Sequence, residues 1–326
     1  MNAHRRTFAA SAALAILAPR SAIAQAPRVY RIGWISLGSA DAPSPFLEAF
    51  RQGLRERGYI EGRNIVLDAG LADGSRERAD QMVATMVRAK ADVIVTQGGA
   101  MWSAYRQARA TPVVMGYSGD PVEAKFVDSL ARPGGTRTGM SFMSLELVGK
   151  RLEVLAQILP AGSRVAIIAD PAHPGEQTEL RHSQAAARRL DMKMSYFPVS
   201  GADELDAALK TISGDGSQAV VVFPDAFTLD HRERIAAFGL KYRLPTVSGW
   251  SSYAESGFLM TYGPNLRASY AYLASYVDKI LKGAKPSDLP IEFPTAVEFV
   301  INMKTAKAIG ARLPQPMLMR ADSVIE

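Results

Sequence analysis

Asp92-Val93-Ile94-Val95-Thr96 is followed by Gln97-Gly98-Gly99, by a stretch running to Ala110, and then by Pro112-Val113-Val114-Met115 and Gly116-Tyr117-Ser118-Gly119-Asp120-Pro121. The first and third pieces are near-continuous apolar, β-branched runs, which read as strands covered on both faces. The piece between them has the length of a helix, and glycines stand where the first strand gives way to it. This is a βαβ unit, and the alternation extends from it in both directions. Upstream, Val29 to Ile35 and Asn64 to Ala69 read as strands. Pro45 to Arg57 carries a helical stripe at Phe46, Leu47, Phe50 and Leu54 with Gly58 as its stop, and Glu77 to Lys90 carries another at Met82, Val83, Met86 and Val87. Downstream, residues 122–131 read as a short helix, Arg132-Pro133-Gly134-Gly135 as a turn, and Thr138 to Phe142 as a closing strand.

The pattern then restarts. Strands are predicted at Arg164–Ala169, Lys193–Val199, Ala219–Phe223, Pro245–Ser248 and Phe258–Tyr262. Helices are predicted at Leu145–Leu159, Glu176–Leu190, Ala202–Ile212, Leu229–Tyr242 and residues 266–282. The proline-rich tail from Lys285 adds a strand at Val297–Ile301 and a helix at Lys304–Ile309. Two βαβ arrays in series give an α/β chain of two Rossmann-like lobes with parallel sheets. A length of 326 residues agrees with two domains.

The first 24 residues are an address. Arg5 and Arg6 form a positive start, residues 7–18 an apolar run too short to span a bilayer, and Ala22-Ile23-Ala24 the small residues of a cleavage site before Gln25. Arg5-Arg6-Thr7-Phe8 also has the form of a twin-arginine signal. Removing Arg5, Arg6 and Arg20 takes the formal charge from +6 to +3, too little to argue for nucleic acid. The expected location is the periplasm. The absence of cysteine excludes disulfides, thiolate catalysis and a lipidated cysteine anchor.

Signatures of catalysis are also absent. No Gly-x-Gly-x-x-Gly follows a strand, there is no phosphate-binding Walker loop, and Gly116-Tyr117-Ser118-Gly119 is one residue short of a nucleophile elbow. No cofactor and no metal are expected. His182 and His231 read as solvated surface residues, while His173 follows a strand end and is either a ligand contact or part of a turn.

Ligands of parallel sheets bind beyond the carboxyl ends of strands, and those positions hold the candidate site. Ser36 and Gly38 follow the first strand. Thr96, Gly98 and Ala100 end the third, Tyr117, Ser118 and Asp120 the fourth, and Phe142 the fifth. Asp170, Asp225 and Trp250 take equivalent places in the second array. Hydroxyls and N–H groups at a helix start suit a carboxylate, the aspartates suit an ammonium group, and Trp34, Trp102, Tyr117, Phe142, Trp250 and Tyr253 are possible aromatic walls. The same aspartates and serines could instead cap the helices that follow them.

Several segments carry a family resemblance. They include Tyr30-Arg31-Ile32-Gly33-Trp34, Phe46 to Tyr59 leading into Glu61-Gly62-Arg63-Asn64-Ile65, Gly119-Asp120-Pro121-Val122, and Ser129 to Gly135. Gly149 to Glu153, Tyr262-Gly263-Pro264-Asn265, Tyr276 to Gly283, Val300 to Lys307 and Arg320-Ala321-Asp322 continue the series. In this order they resemble the substrate-binding proteins of bacterial ABC transporters, in the branch whose characterised members bind tryptophan or related aromatic amino acids. The resemblance implies a three-crossing hinge, a ligand cleft between lobes, and delivery of an amino acid or small aromatic carboxylate to an inner-membrane permease by a monomer. Breaks at Phe142-Met143, near Ser248 and after Gly283 suit the crossings. The N-terminal lobe would then hold 28–142 plus about 250–283, and the C-terminal lobe 143–249 plus about 284–326. The chain departs from its relatives at Gly98-Gly99-Ala100-Met101-Trp102, where they commonly read Gly-Thr-Pro-Ala, and at Asp170, where asparagine is usual. A periplasmic sensor of the same fold, or an exported hydrolase or isomerase, is the alternative.

Overall fold

The computed structural model describes residues 28–41, 44–142 and 145–326, with only the backbone described for Leu145 and Glu146. The expected signal segment, its cleavage point and Met143 lie outside the described residues.

The first lobe is built from β1 (Tyr30–Ser36), α1 (Pro45–Glu56), β2 (Ile65–Leu71), α2 (Arg76–Arg88), β3 (Val93–Gln97), α3 (Met101–Gln107), β4 (Val113–Tyr117) and β5 (Arg137–Ser141). Its five strands are parallel in the order β2-β1-β3-β4-β5. Helix α1 starts where Ser44 accepts from the Phe46 N–H and Pro45 presets the first turn, and it buries Phe46, Leu47, Phe50 and Leu54. Residues 122–131, expected as a helix, instead form successive turns. Pro121 has no N–H to give, Asp120 takes the Val122 and Glu123 N–H groups on its side chain, and Lys125 sits at φ 58°. A left-handed residue stops a helix from propagating.

The second lobe begins with α4 (Leu145–Ala156), β6 (Arg164–Ala169), α5 (Glu176–Arg189), β7 (Lys193–Pro198), α6 (Ala202–Ile212) and β8 (Ala219–Val222). The predicted helix 229–242 is two helices, α7 (Ala226–Asp230) and α8 (Arg232–Tyr242), meeting at His231. After them come β9 (Thr246–Ser248), α9 (Ser251–Glu255), β10 (Met260–Pro264), α10 (Leu266–Leu281), β11 (Val297–Asn302), α11 (Met303–Ile309), α12 (Gln315–Leu318) and β12 (Ser323–Ile325). The second sheet runs β12-β11-β10-β9-β8-β6-β7, parallel except where β10 meets β11.

The chain changes lobes three times. Strand β10 belongs to the second sheet, so the return to the first lobe begins at Pro264 and not near 250. Helix α10 then packs along α1. Glu292 still pairs with Gly139 and Ser141 of β5, so the last crossing comes between Glu292 and β11, later than Gly283. Sheet pairing sets these boundaries; the proline and glycine punctuation of the sequence marks turns inside each lobe as well. The crossings brace one another, with the Asn265 N–H on the Ala296 carbonyl at 3.0 Å and the Asn265 amide on Glu298 at 3.0 Å.

Candidate functional site

The carboxyl ends of both sheets face one cavity of about 550 Å3 between the lobes. The first lobe contributes Leu37 and Ser39 after β1, Asp73 to Arg76 at the start of α2, Gln97 to Gly99 after β3, and Ser118 after β4. The second lobe contributes Asp170, His173 and Pro174 after β6, Ser200 after β7, Asp225 to Phe227, Asp230 and His231 around α7, and Trp250 after β9. Tyr270, in the second turn of α10, completes the wall.

The lobes touch across this cavity. The Ser39 N–H donates to Asp230 Oδ2 at 2.9 Å. The ring of Phe46 from α1 stands edge-on to Trp250 at 5.4 Å and stacks on Tyr270 at 5.0 Å. Trp34, Phe50 and Phe142 back the same cluster.

The polar floor is built by local chain geometry. Asp225 caps α7: its Oδ1 accepts from the Thr228 N–H at 2.6 Å and the Thr228 hydroxyl at 2.8 Å, while the Asp225 N–H donates back to that hydroxyl. This reciprocal capping fixes the carboxylate at the lip of the cavity. Asp170 closes a smaller turn, its Oδ1 accepting from the Ala172 N–H at 2.8 Å. Burial, reinforced by Asp170, pushes the Asp225 carboxyl up to about 7, against the opposing pull of His173.

Behind the floor lies a buried ion network. Arg151 is 3% exposed and Glu179 8%. The Arg151 guanidinium donates to the Tyr262 carbonyl at 3.1 Å and to Glu179 at 3.3 Å, and His173 Nε2 stands 3.7 Å from the other Glu179 oxygen. Burial resists charging His173, yet Glu179, Asp225 and Asp170 hold its pKa above the ordinary value. Glu179 is raised by burial but lowered more by Arg151 and His173, and ends below its ordinary value. The network crosses β10, α4 and α5 and anchors the loop that carries Asp170 and His173.

Of the residues expected from sequence, Gly98, Ser118, Asp170, Asp225 and Trp250 line the cavity. The others do not. The Ser36 hydroxyl is buried and accepts from the Gly38 N–H, and Gly38 faces Asp230 in a side crevice. Thr96 is buried, with its hydroxyl on Met101 sulfur, and Ala100 is buried behind it. Tyr117 is buried against Phe126, Asp120 holds its own turn, and Phe142 packs on Tyr270 and Gly116. Among the aromatic candidates only Trp250 reaches the cavity. Trp34 and Tyr253 are buried in the core, and Trp102 packs on Tyr105 and Phe126.

The residues sequence reading missed are Asp73, Arg76, Gln97, Phe227, Asp230, His231 and Tyr270. His231, expected at the solvated surface, lines the cavity with its ring edge-on to Phe227 at 4.5 Å. Asp73 and Gln97 do follow strands, and that signal was available. Tyr270 follows the start of a helix in a later segment, and only the pairing of β10 brings it back to the cleft.

The chain matches a family model described as ABC transporter substrate binding protein over residues 33–325. A tyrosine-binding protein of Clostridioides difficile is 22% identical over 264 residues, 80% of this chain and 75% of that protein. A domain from Streptococcus pneumonia solved with L-Trp is 22% identical and superposes with a TM-score of 0.81, covering 91% of this chain and 100% of that one. A conserved domain protein from Vibrio cholerae gives 24% and 0.82 over 92% and 100%. A ligand-free, open substrate binding protein with adhesive properties from Clostridium difficile gives 20% and 0.65 over 91% and 99%.

Proposed function

The chain belongs to the ABC transporter substrate binding protein family, and from that premise we propose that it captures a small molecule carrying a primary ammonium group and an aromatic or apolar body, an aromatic amino acid being the type case, and hands it to an ABC permease. The observation that carries the reading is the pairing of Asp170 and Asp225 with Trp250, Phe227 and Tyr270 around one cavity. A cavity of this size suits a ligand of tens of atoms at most, with few polar groups setting orientation. The ammonium sits against the Asp225 and Asp170 carboxylates, where charge-assisted hydrogen bonds are strongest. The body lies against Trp250, Phe227 and Tyr270. An α-carboxylate faces Ser118 and the Gly98-Gly99 turn. The tyrosine-binding relative and the L-Trp complex support an aromatic amino acid. The ammonium role moves from Asp120, whose Oδ1 is taken up by its own turn, to Asp225 and Asp170.

The protein acts as a carrier and not as a catalyst, in the periplasm and as a monomer. The export-like first 24 residues support the location, and among the described residues no helix is long and apolar enough to cross a membrane.

The test is a thermal-shift panel of aromatic amino acids, aliphatic amino acids, aromatic acids without an amine, and sugars. A ligand at a hundred times its dissociation constant adds about 2.7 kcal/mol, a rise of several degrees. A shift with sugars alone, or with amine-free acids alone, would sink the reading.

A further inference from the structure

Resting on the reading that Trp250 walls the ligand's aromatic body, we infer that Arg151 is a positioning residue for that wall: it lies outside the cavity and holds Trp250 in place from behind, through the backbone of Gly249.

Trp250 is carried on the short connection between β9 and α9. Its ring meets Phe46 edge-on at 5.4 Å, and Phe46 belongs to the other lobe. A contact between lobes cannot seat the ring once they part, so the second lobe has to hold Trp250 by itself. Within that lobe Tyr253 of α9 stands 6.1 Å away, and the firmer hold is on the backbone. The Ser248 hydroxyl donates to the Val222 carbonyl at 3.0 Å and pins the end of β9. At the next residue, a Cβ built on Gly249 would come within 2.9 Å of Arg151 Cζ and of Pro224 Cγ. Gly249 does not have a positive φ, so the glycine is needed for closeness and not for conformation. On its other side, a Cβ on Gly263 of β10 would overlap the Gly249 carbonyl oxygen. The residue before Trp250 is thus clamped between a guanidinium and a strand.

Arg151 is itself held. It is buried, and its Nε and Nη1 donate to the Tyr262 carbonyl at 3.1 Å and to Glu179 at 3.3 Å. Two bonds to one planar group fix its plane, so Nη2, the end nearest Gly249, has little freedom to move aside. Tyr262 directly precedes Gly263, so the guanidinium and the strand that clamp Gly249 are bonded to each other. Charge balance for Glu179 alone would be met by a lysine. A lysine ammonium is a compact point charge and would leave the space under Gly249 unfilled. The lining of the cavity gives no hint of this role, because Arg151 sits on α4 and acts on Trp250 only through backbone.

The experiment has a spectroscopic arm and a binding arm. Protein labelled with 5-fluorotryptophan shows its three indoles, Trp34, Trp102 and Trp250, by fluorine NMR without ligand, and Trp250→Phe identifies the third resonance. The expected result is that Gly249→Ala and Arg151→Lys each shift the Trp250 resonance and leave those of Trp34 and Trp102 in place. Calorimetry with L-tryptophan and L-tyrosine is expected to show an affinity loss of about threefold to tenfold in Gly249→Ala and at least that in Trp250→Ala. The double variant then binds within about twofold of Trp250→Ala alone, because Gly249 acts through Trp250. Circular dichroism confirms the fold, and Gly249→Ala carries the test if Arg151→Lys does not fold. An unmoved Trp250 resonance would overturn the inference. Unchanged affinity in Gly249→Ala would overturn it too, Phe46 then being enough to seat the ring. So would losses that add in the double variant, since Gly249 would then act through Asp225, which follows Pro224. If neither amino acid binds the wild type, the proposed function falls with this inference's binding role, while a shifted resonance alone would show the clamp to be real.

Discussion

Asp225 holds the N-terminus of α7 with one oxygen and faces the cavity with the other. Its folded pKa stands above the unfolded one because burial, then Asp170, penalise the charge, with His173 and Thr228 opposing. For a group raised in this way, the stability contribution is full below the unfolded pKa and is lost as pH rises through the folded value near 7. Asp225→Asn keeps the acceptor for Thr228 and removes the charge. The ligand-free variant is expected to melt about 2–4 °C above the wild type at pH 8, with the gap nearly closed only at about pH 4, near the unfolded pKa, while its affinity for an ammonium ligand falls at least tenfold. Equal melting differences at the two pH values in differential scanning fluorimetry would remove Asp225 as the source. Glu179 works in the opposite sense. Its pKa is lowered chiefly by Arg151 acting against burial, so its contribution is lost as pH falls through the folded value. Arg151→Met leaves Glu179 buried with His173 alone, and urea unfolding is expected to show a loss of about 3–5 kcal/mol.

Helix α1 was legible from its apolar stripe, from Pro45 and from Gly58. What the stripe could not show is how closely α10 crosses it. A Cβ built on Gly53 comes 2.2 Å from the Ala271 carbonyl oxygen. Backbone cannot yield as a side-chain tip can, so Gly53→Ala is expected to cost about 1–3 kcal/mol in chemical denaturation, despite alanine's better helix propensity. An unchanged midpoint would mean that the α1–α10 contact is looser than this geometry. The misread segment 122–131 teaches a related lesson. Its composition permits a helix, but Asp120 diverts the first N–H groups and Lys125 turns left-handed. Local competition of this kind is settled residue by residue, and hydrophobic periodicity does not register it.

The two lobes meet around the cavity through the Ser39–Asp230 hydrogen bond and the Phe46–Trp250 contact, and the crossings are braced where Asn265 meets Ala296 and Glu298. Closure of this kind buries a ligand and slows its escape. Asp230→Ala removes a hydrogen bond to a carboxylate across the gap, worth about 1.5–3 kcal/mol. The expected outcome is an affinity loss of about tenfold or more carried by faster dissociation, read by stopped-flow fluorescence of Trp250, with the fold intact. A slower association rate at unchanged dissociation would argue that the bond has no part in closure.

The βαβ alternation of the chain was enough to determine two α/β lobes and to place a site at strand ends, because apolar periodicity and glycine punctuation are local properties that any window of sequence displays. It was enough also to bring Gly98, Ser118, Asp170, Asp225 and Trp250 forward, since each lies within three residues of a strand end. Tertiary structure alone decided which strand-end residues turn inward. Ser36, Thr96 and Asp120 satisfy their own turns or the core, while Asp230, His231 and Tyr270 reach the cavity from helices that only sheet pairing brings near. It also decided the lobe boundaries, because β10 joins the second sheet through pairing with β9 and β11, residues distant in sequence whose hydrogen bonds leave no mark on local composition.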